Sequence, residues 1–436
     1  VIVHWPGGET ESFTHVQAGA QYSLVEGTGR ATRWIPPRPV DAVQLDSSEQ
    51  TPYIATDTPH VLLPSPIPLP ILRYTRFDDR SPHVVEAKTG PLLINLWASW
   101  CLPCMAELKE FTELEENLRA TGLNVLALSV DGLDDDKDTQ PEDAKRFLDQ
   151  IGFPFGAGVA TPASLDKMDI INEFVFDRTA RFTIPVSFLV DQDGWIVAVY
   201  RGPVRVDVLL RHLDALDSNP DERRQLAVPF PGSWYGRSGD VDLAGLASMF
   251  REDFVEDTER YLNLSLEQLA ASRLDDPHSK GRQLRLDDER VKAHRQLVVL
   301  MREQGRWEEA IMHARQAVDI QPKSRDAQYD LAVALQLHNQ IGKAIYHYRE
   351  VLRIAPQWAD AHRNLGGALA SVGQFDTSLY HFREAVRLRP GIPEPLAAMA
   401  LILATHPHAS SRRPDEAICL AEQASELTQD QSAPVL

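Results

Sequence analysis

The feature that most restricts the fold is a pair of cysteines placed between an apolar segment and an amphipathic one. Leu92–Leu96 is apolar except for Asn95 and is predicted to be a buried strand, whereas Met105–Ala120 has the period of an amphipathic helix. Cys101 therefore follows a strand and opens a helix, with Cys104 one turn further along the same face. A strand that leads directly into a helix predicts an α/β domain.

The segments that follow continue this alternation as far as residue 217. The pattern predicts a second buried strand at Leu123–Val130, then two helices, a hairpin around Asp191-Gln192-Asp193-Gly194 and a closing helix. These later elements are Pro141–Ile151, Leu165–Phe176, Pro185–Val190, Trp195–Tyr200 and Val206–Leu216. Two strand–helix steps followed by a hairpin give a mixed sheet flanked by helices.

The spacing of Cys101 and Cys104 favours redox chemistry. A helix N-terminus carries about half a positive charge and unpaired N–H groups, which stabilise a thiolate at Cys101. The i, i+3 spacing lets the two sulfurs reach disulfide distance, and Pro103 suits the first turn because its missing N–H costs nothing there. We expect an exposed, activated Cys101 thiolate with Cys104 behind it. Three cysteines are too few for a framework of structural disulfides, so the pair points to redox chemistry or to a metal.

The residues around these cysteines resemble the TlpA-like branch of the thioredoxin family. The segment LLINLWASWCLPCMAEL has the buried strand, the W-C-x-P-C motif and a Glu three residues after the second cysteine, here Glu107. The segment FTIPVSFLVDQDG supplies the second signature, a cis-proline just before a strand, at Ile184-Pro185. The resemblance covers residues 71–217 and implies a thioredoxin fold, with Pro185 facing the cysteines and shaping the groove for a substrate's backbone.

The expected activity is thiol–disulfide exchange with partner proteins. Cys101 attacks a disulfide of the partner, and Cys104 then attacks Cys101 to release the reduced partner. Trp100 either flanks the sulfurs and limits solvent or packs as an ordinary side chain. Relatives of this branch usually act as reductants that a membrane electron donor recharges, so the resemblance implies a reductase with an upstream electron donor.

Glu107 is the candidate proton acceptor for the Cys104 thiol, because it lies one helical turn further on. The alternative is a surface carboxylate beside Glu110 and Glu113.

No cofactor or metal is expected beyond the redox-active disulfide itself. Structural zinc needs four ligands, yet Cys419 is remote in sequence and no histidine lies within fifteen residues of Cys101. A copper relay normally adds a histidine near this strand. A peroxidase expects Pro-x-x-x-Thr-x-x-Cys, whereas the lead-in here is Asn95-Leu96-Trp97-Ala98-Ser99-Trp100. These three readings remain weaker alternatives to exchange.

Residues 291–436 contain an internal repeat of 34 residues. This spacing holds for three prolines, three leucines and three small residues: Pro322, Pro356 and Pro390; Leu297, Leu331 and Leu365; Ala310, Ala344 and Ser378. The pattern resembles the tetratricopeptide repeat (TPR) and predicts an all-α solenoid of three full repeats and a fourth with an insertion around His406–Arg413. Such arrays need a polar capping helix, and the sequence predicts none before Leu436. We therefore expect the chain to be a piece of a longer protein.

The repeats predict a partner. First helices of such arrays line a concave groove, where Arg295, Tyr329 and Arg363 are expected to face an extended peptide or protein ligand. A rigid spacer between modules is the alternative.

For the whole chain, the alternative to an enzyme is a scaffold in which the repeats carry the function and the thioredoxin-like module is non-catalytic.

The first 70 residues predict a short β segment and a linker. Strands are expected at Val1–Trp5 and near Ser12–Val16, within residues 1–35. The segment VIVHWPGGETESFTHVQAGAQYSLVEG resembles the end of the ASPIC/UnbV domain, which usually follows FG-GAP propeller repeats in extracytoplasmic bacterial proteins. Residues 36–70 hold nine prolines and predict a stiff linker, with a docking site for a proline-recognising partner as the alternative.

Residues 218–290 predict a linker and a helical lead-in to the repeats, with helices at Leu243–Phe250 and Phe254–Ala271. The formal charge of −19 argues against nucleic acid as a partner, and no apolar run is long enough to span a bilayer. Extracytoplasmic localisation follows from the resemblance alone.

Several other residues carry no predicted site. Asp131–Asp138 reads as a solvated acidic loop, and Cys419 as a buried structural thiol. His313, His347 and His381 read as a repeat signature, because adjacent repeats lie too far apart to share a metal. His406 and His408 read as part of an ordinary loop.

Overall fold

A mixed sheet of eight strands carries the two cysteines, in a computed structural model that describes residues 2–4, 10–13, 22–24, 31–33, 60–78, 80–87, 90–133, 139–176, 183–216, 218, 222, 241–250, 253–275 and 280–432. The chain divides into two compact units, Val1–Asp57 and Thr58–Leu436.

The N-terminal unit contains two short antiparallel ribbons. β1 (Ile2–His4) pairs with β2 (Thr10–Ser12), and β3 (Tyr22–Leu24) pairs with β4 (Ala31–Arg33). The second predicted strand therefore begins earlier than the sequence indicated. The predicted turn at Pro6-Gly7-Gly8 and linker residues 36–59 lie outside the described residues, and the ASPIC/UnbV resemblance stays a prediction.

The strand order of the sheet is β5-β12-β11-β8-β9-β10-β6-β7. The strands are β5 (His60–Pro68), β6 (Arg73–Arg76), β7 (Pro82–Val84), β8 (Leu92–Trp97), β9 (Asn124–Ser129), β10 (Gly156–Ala160), β11 (Val186–Val190) and β12 (Trp195–Arg201). β8 and β10 run parallel to β9, and the other pairs are antiparallel, which confirms the predicted mixed sheet. The sequence missed β10, because a glycine-rich segment has low strand propensity.

The predicted linker differs from the structure at its end, because His60–Pro68 forms the edge strand β5. Pairing with β12 passes from Leu62 opposite Ala198 to Ile67 opposite Ile196, so the residues between them bulge out of the ladder. Pro64 and Pro66 lie in this bulge. A proline is tolerated at a sheet edge or bulge because no backbone donor is needed there.

Five helices accompany the sheet: α1 (Leu102–Glu113), α2 (Glu115–Ala120), α3 (Pro141–Ile151), α4 (Pro162–Phe176) and α5 (Val206–Asp214). The segment Met105–Ala120, predicted as one helix, belongs to two helices. The first begins at Leu102, directly after Cys101, which confirms that Cys101 opens the helix but places its start earlier than Met105. The break between the two helices comes at Leu114, whose backbone leaves the helical region.

Helices alone make up the rest of the described chain. α6 (Leu243–Phe250) and α7 (Val255–Asp275) precede four helix pairs, the last of which carries a 3-10 turn at Ala409–Ser411. The pairs are α8 (Lys280–Glu303) with α9 (Trp307–Ile320), α10 (Arg325–Leu337) with α11 (Ile341–Ile354), α12 (Ala359–Ser371) with α13 (Phe375–Leu388), and α14 (Pro393–Thr405) with α15 (Pro414–Ser432). The all-α repeat architecture agrees with the sequence, and no described helix is both long and apolar enough to cross a bilayer.

The lead-in helix α7 docks directly on the sheet domain. Tyr261 and Arg260 donate to the carbonyls of Pro68 and Leu69, at 2.8 and 2.6 Å. Asp257 accepts the Ile71 N–H at 2.7 Å. These contacts join residues more than 180 positions apart, which the sequence does not indicate.

Candidate active site

Cys101 lies at the junction of β8 and α1. Its N–H donates to the Ala98 carbonyl at 3.1 Å, which turns the chain out of the strand. Its sulfur accepts the Cys104 N–H at 3.3 Å and so caps the helix. Pro103 occupies the first turn, where a missing N–H costs nothing. Cys101 therefore lies at the N-terminus of α1, as predicted, and the Cys104 N–H of the first turn points at its sulfur.

Cys101 and Cys104 form a disulfide with a Cα–Cα distance of 5.3 Å. In this oxidised form Cys101 is 6% exposed and Cys104 is completely buried. The prediction of an exposed Cys101 is therefore wrong for the disulfide state. The exposed side chains beside it are Trp100 and Leu102, at 36% and 77%. Of the two cysteines, Cys101 alone keeps some exposed surface, next to these two side chains.

Glu107 is buried, with 2% of its surface exposed, so the alternative of a surface carboxylate is wrong. Both of its oxygens accept hydrogen bonds. Oε1 accepts from the Val204 N–H at 2.5 Å, and Oε2 accepts from the Asn95 amide at 2.8 Å. The carboxyl group thus lies inside the domain, one turn beyond Cys104 on the same helix.

Burial raises the pKa of Glu107 from 4.5 to about 7, because desolvation disfavours the charged form. The hydrogen bonds from Val204 and Asn95 lower the pKa in part, and the nearby Glu110 raises it. A carboxyl group with a pKa near neutrality both takes up and releases a proton readily.

The Ile184–Pro185 peptide bond is cis, as the sequence predicted. Pro185 is buried and directly precedes β11, and its carbonyl accepts the Gly202 N–H at 2.8 Å. β11 pairs with β8, with Val186 opposite Leu96. Pro185 before β11 and the cysteines after β8 therefore lie at the same edge of the sheet, because these two strands are antiparallel neighbours.

Asp131 is a residue of the site that the sequence assigned to a solvated loop. Its side chain is 1% exposed, because its carboxylate accepts from the Ser99 N–H and hydroxyl at 2.9 and 2.7 Å and from the Ser129 hydroxyl at 2.6 Å. The loop between β8 and Cys101 is thus fixed to the end of β9. The sequence carried a signal for this contact. Ser99 and Asp131 follow β8 and β9, and side chains at the carboxyl ends of adjacent parallel strands meet. Residues 134–138 lie outside the described residues.

Asn95 and Ser187 were also missed. They lie opposite each other on β8 and β11, and both are fully buried. The Asn95 amide donates to the Ser187 hydroxyl at 2.9 Å as well as to Glu107. A single polar residue in an apolar strand is the signal that marks Asn95.

The predicted groove residues of the repeats are engaged in contacts within the array. Arg295 pairs with Asp330 at 2.6 Å, on the next first helix. Tyr329 stacks on Trp358 and accepts from Asn364 at 2.8 Å. Arg363 pairs with Asp360 at 3.5 Å on its own helix. The contacts of Arg295 and Tyr329 connect successive repeats, which spacing alone does not reveal.

The histidines of the second helices contact partners inside their own helix pairs. The Nδ1 atoms of His294 and His313 lie 3.2 Å apart, those of His362 and His381 lie 2.9 Å apart, and His347 bonds Gln328 at 2.7 Å. Within the described residues, no three His, Cys, Asp or Glu side chains converge as metal ligands would.

The prediction of a buried Cys419 is wrong, since this residue is exposed on α15. His406 lies in the predicted loop, directly after α14. It is nevertheless only 4% exposed, because it packs against Phe375 with ring centroids 5.4 Å apart. His408 is exposed, as expected for a loop.

A mixed sheet, a Cys-x-x-Cys disulfide at a strand–helix junction and a cis-proline before the adjacent strand define a thioredoxin-like domain. Residues 78–199 match the AhpC/TSA family, and residues 301–363 match a tetratricopeptide repeat. The chain therefore contains an AhpC/TSA thioredoxin-like domain and tetratricopeptide repeats. The sequence predicted the thioredoxin-like fold and the repeats.

The relatives of the thioredoxin-like domain include thiol–disulfide oxidoreductases. Over 123 residues the chain is 26% identical to the thiol-disulfide oxidoreductase ResA of Bacillus thuringiensis, which covers 28% of this chain and 61% of that protein. Over 130 residues it is 35% identical to the thiol:disulfide interchange protein DsbE homolog of Paracoccus denitrificans, covering 29% and 60%. Among solved structures, MamA from Desulfovibrio magneticus matches 44% of this chain and 98% of its own, with 20% identity and a TM-score of 0.34.

Proposed function

We propose that this protein is a thiol–disulfide oxidoreductase that exchanges disulfides with partner proteins through Cys101 and Cys104. The observation that carries the proposal is the Cys101–Cys104 disulfide at the start of α1, with the buried Glu107 carboxyl one turn further on. The named oxidoreductase relatives support the same chemistry.

In the reducing direction, the reaction starts from the dithiol. The Cys101 thiolate attacks one sulfur of a partner disulfide, which forms a mixed disulfide and releases the partner's other sulfur as a thiolate. Cys104 then attacks the Cys101 sulfur, so the bond to the partner breaks and the Cys101–Cys104 disulfide forms. Two electrons pass to the partner, and a dithiol donor is required to reduce the enzyme again.

Glu107 takes the proton of Cys104 during the second step. Cys104 is completely buried and has no solvent base, so its thiol needs an internal acceptor. A carboxyl group with a pKa of about 7 is ionised in part of the molecules at neutral pH and can accept this proton.

Three further residues support the exchange. Pro103 shapes the first turn that presents Cys101. Trp100 is exposed beside the disulfide and contacts the incoming partner. Pro185, at the start of the strand next to β8, borders the groove in which the partner's backbone lies.

The repeats bind the partner, and the protein acts outside the cytoplasm with an upstream electron donor. Arg295, Tyr329 and Arg363 are poor individual anchors, since each is already engaged within the array. The proposed contact therefore uses the shape of the groove and the remaining polar groups of the first helices. Localisation rests on the resemblance to extracytoplasmic relatives.

The test is insulin-disulfide reduction by the full chain, with thiol titration of the protein across a glutathione redox series. Cys101→Ser should abolish reduction, and Cys104→Ser should accumulate the mixed disulfide. Cys419→Ser, which changes the exposed cysteine of α15, is the matched control and should retain full activity. If the Cys101/Cys104 pair of the wild-type protein stays in one redox state and insulin is not reduced, the proposed oxidoreductase activity is excluded. The alternative, a scaffold with a non-catalytic thioredoxin-like module, then replaces it.

A further inference from the structure

We infer that Asn95 is the positioning residue that keeps the Glu107 carboxylate ready to accept a proton from Cys104. This inference rests on the proposed exchange reaction and deepens it. It assigns a role to a buried strand residue that neither belongs to the Cys-x-x-Cys motif nor touches a partner protein.

The geometry makes Asn95 a fixed donor. Its amide nitrogen donates one hydrogen to Glu107 Oε2 at 2.8 Å and one to Ser187 Oγ at 2.9 Å. Asn95 and Ser187 are opposite residues of two central strands, and both are fully buried. While Glu107 is ionised, the opposite amide orientation would place Oδ1 against the carboxylate and would be repelled. Asn95 therefore presents an N–H to the ionised Glu107.

The hydrogen bond from Asn95 stabilises the ionised state of Glu107. An ionised carboxylate accepts from both Asn95 and Val204, whereas a protonated carboxyl group loses part of that acceptor capacity. Among the described residues, the charged group that acts on Glu107 is Glu110 on the same helix, while β8 and the segment before α5 offer it uncharged donors. Loss of Asn95 leaves one donor in a buried site, so the carboxyl group holds its proton to higher pH.

The consequence falls on the second step of the exchange. A protonated Glu107 cannot take the Cys104 proton, so attack by Cys104 on the mixed disulfide slows at neutral pH. Attack by Cys101 on the partner precedes this transfer and does not require it. The two steps should therefore respond differently to changes at Asn95, which an overall loss of stability would not produce.

The experiment follows both steps in one reduced full-length sample that carries Cys419→Ser. DTNB, an aromatic disulfide, reacts with Cys101 and releases one coloured thiolate. Attack by Cys104 then releases the second thiolate and closes the Cys101–Cys104 disulfide. Stopped-flow absorbance gives the rate of each release across acidic to alkaline pH.

Asn95→Leu should raise the pH midpoint of the second release by about one unit and slow that step roughly tenfold below the midpoint, because a charge-assisted hydrogen bond is lost. Ser187→Ala keeps the bond from Asn95 to Glu107 and should shift the midpoint less. Glu107→Gln should remove the midpoint, and adding Asn95→Leu to Glu107→Gln should then cause no further slowing.

Asn95→Ser replaces Asn95→Leu if the leucine variant fails to fold, since the serine hydroxyl is too short to replace the bridging amide. Asn172→Ala, at a buried asparagine on α4, is the control for a lost core amide.

An unchanged midpoint in the folded Asn95 variants would overturn the inference. So would a shift in Ser187→Ala equal to that of Asn95→Leu, or slowing by Asn95→Leu in the Glu107→Gln background. Absence of the second release in the wild-type protein would instead refute the proposed exchange reaction itself.

Discussion

The ammonium nitrogen of Lys167 on α4 lies 2.6 Å from Oδ2 of Asp257 on α7, and both side chains are buried. Lys167 also donates to the Ile71 carbonyl at 2.8 Å and lies over the Phe254 ring at 4.9 Å. Asp257 in turn accepts the Ile71 N–H. One ion pair thus joins the thioredoxin-like domain to the helix that leads into the repeats. The backbone of Ile71 is hydrogen-bonded to both members of the pair.

Removing one partner of this pair should loosen the junction. Asp257→Ala leaves a buried charge on Lys167 without compensation, which costs about 3–5 kcal/mol. Hydrogen exchange of the α7 amides should speed up accordingly. Glu256→Ala is the matched control, because its pair with Arg73 is exposed and contributes about 0–1 kcal/mol. Equal effects of the two variants would contradict a structural role for the buried pair.

Loss of the Asp131 carboxylate should destabilise the loop before Cys101. Asp131→Ala leaves the Ser99 N–H and two hydroxyl groups without their acceptor, at a cost of about 1–3 kcal/mol for each unsatisfied group that stays buried. Asp131→Asn keeps one acceptor oxygen and should cost less. Urea midpoints of the oxidised protein measure the difference, and the largely exposed Asp149→Asn should be nearly neutral.

Glu107 should make the stability of the oxidised protein fall as the pH rises. The pKa of this group is about 7 in the folded protein and near 4.5 in the unfolded chain, so the folded state binds the extra proton in that interval. Wild type and Glu107→Gln should therefore differ little below pH 4.5, and above pH 7 the variant should gain about 3 kcal/mol relative to wild type. Urea denaturation at several pH values tests this. A gap that does not change with pH would show that Glu107 titrates normally.

The neighbouring glycines Gly366 and Gly367 of α12 should respond oppositely to alanine. A Cβ atom on Gly366 would lie 2.8 Å from the Phe382 ring of α13, so Gly366→Ala should overpack the contact and cost about 1–3 kcal/mol. A Cβ atom on Gly367 meets nothing within 4 Å, and Gly367→Ala should stabilise the helix by about 0.5–1 kcal/mol. Thermal unfolding of the two variants gives the comparison, and destabilisation by both would show that the helices shift on substitution.

Local patterns were sufficient for most elements of the fold. α3 and α6 have the bounds that the periodicity predicted, and the strands on either side of Cys101 and Pro185 differ by one or two residues. The strands of the large sheet that were missed are β5, which is rich in proline, β10, which is rich in glycine, and the short strands β6 and β7. The strand conformation of β5 and β10 comes from pairing with β12, β9 and β6, because neither composition favours a strand by itself.

The cysteine pair, the position of Glu107 one turn after Cys104 and the period of the repeats could be predicted from the sequence, because each depends on spacing within one or two elements. The cis-proline was implied by the resemblance to the TlpA-like branch. The burial of Glu107 and Asp131, the bridge that Asn95 makes between Glu107 and Ser187, and the pair of Lys167 with Asp257 are visible only in the folded protein. These relationships join side chains of different strands and helices. They arise because the sheet order and the docking of α7 bring together residues that no local period relates.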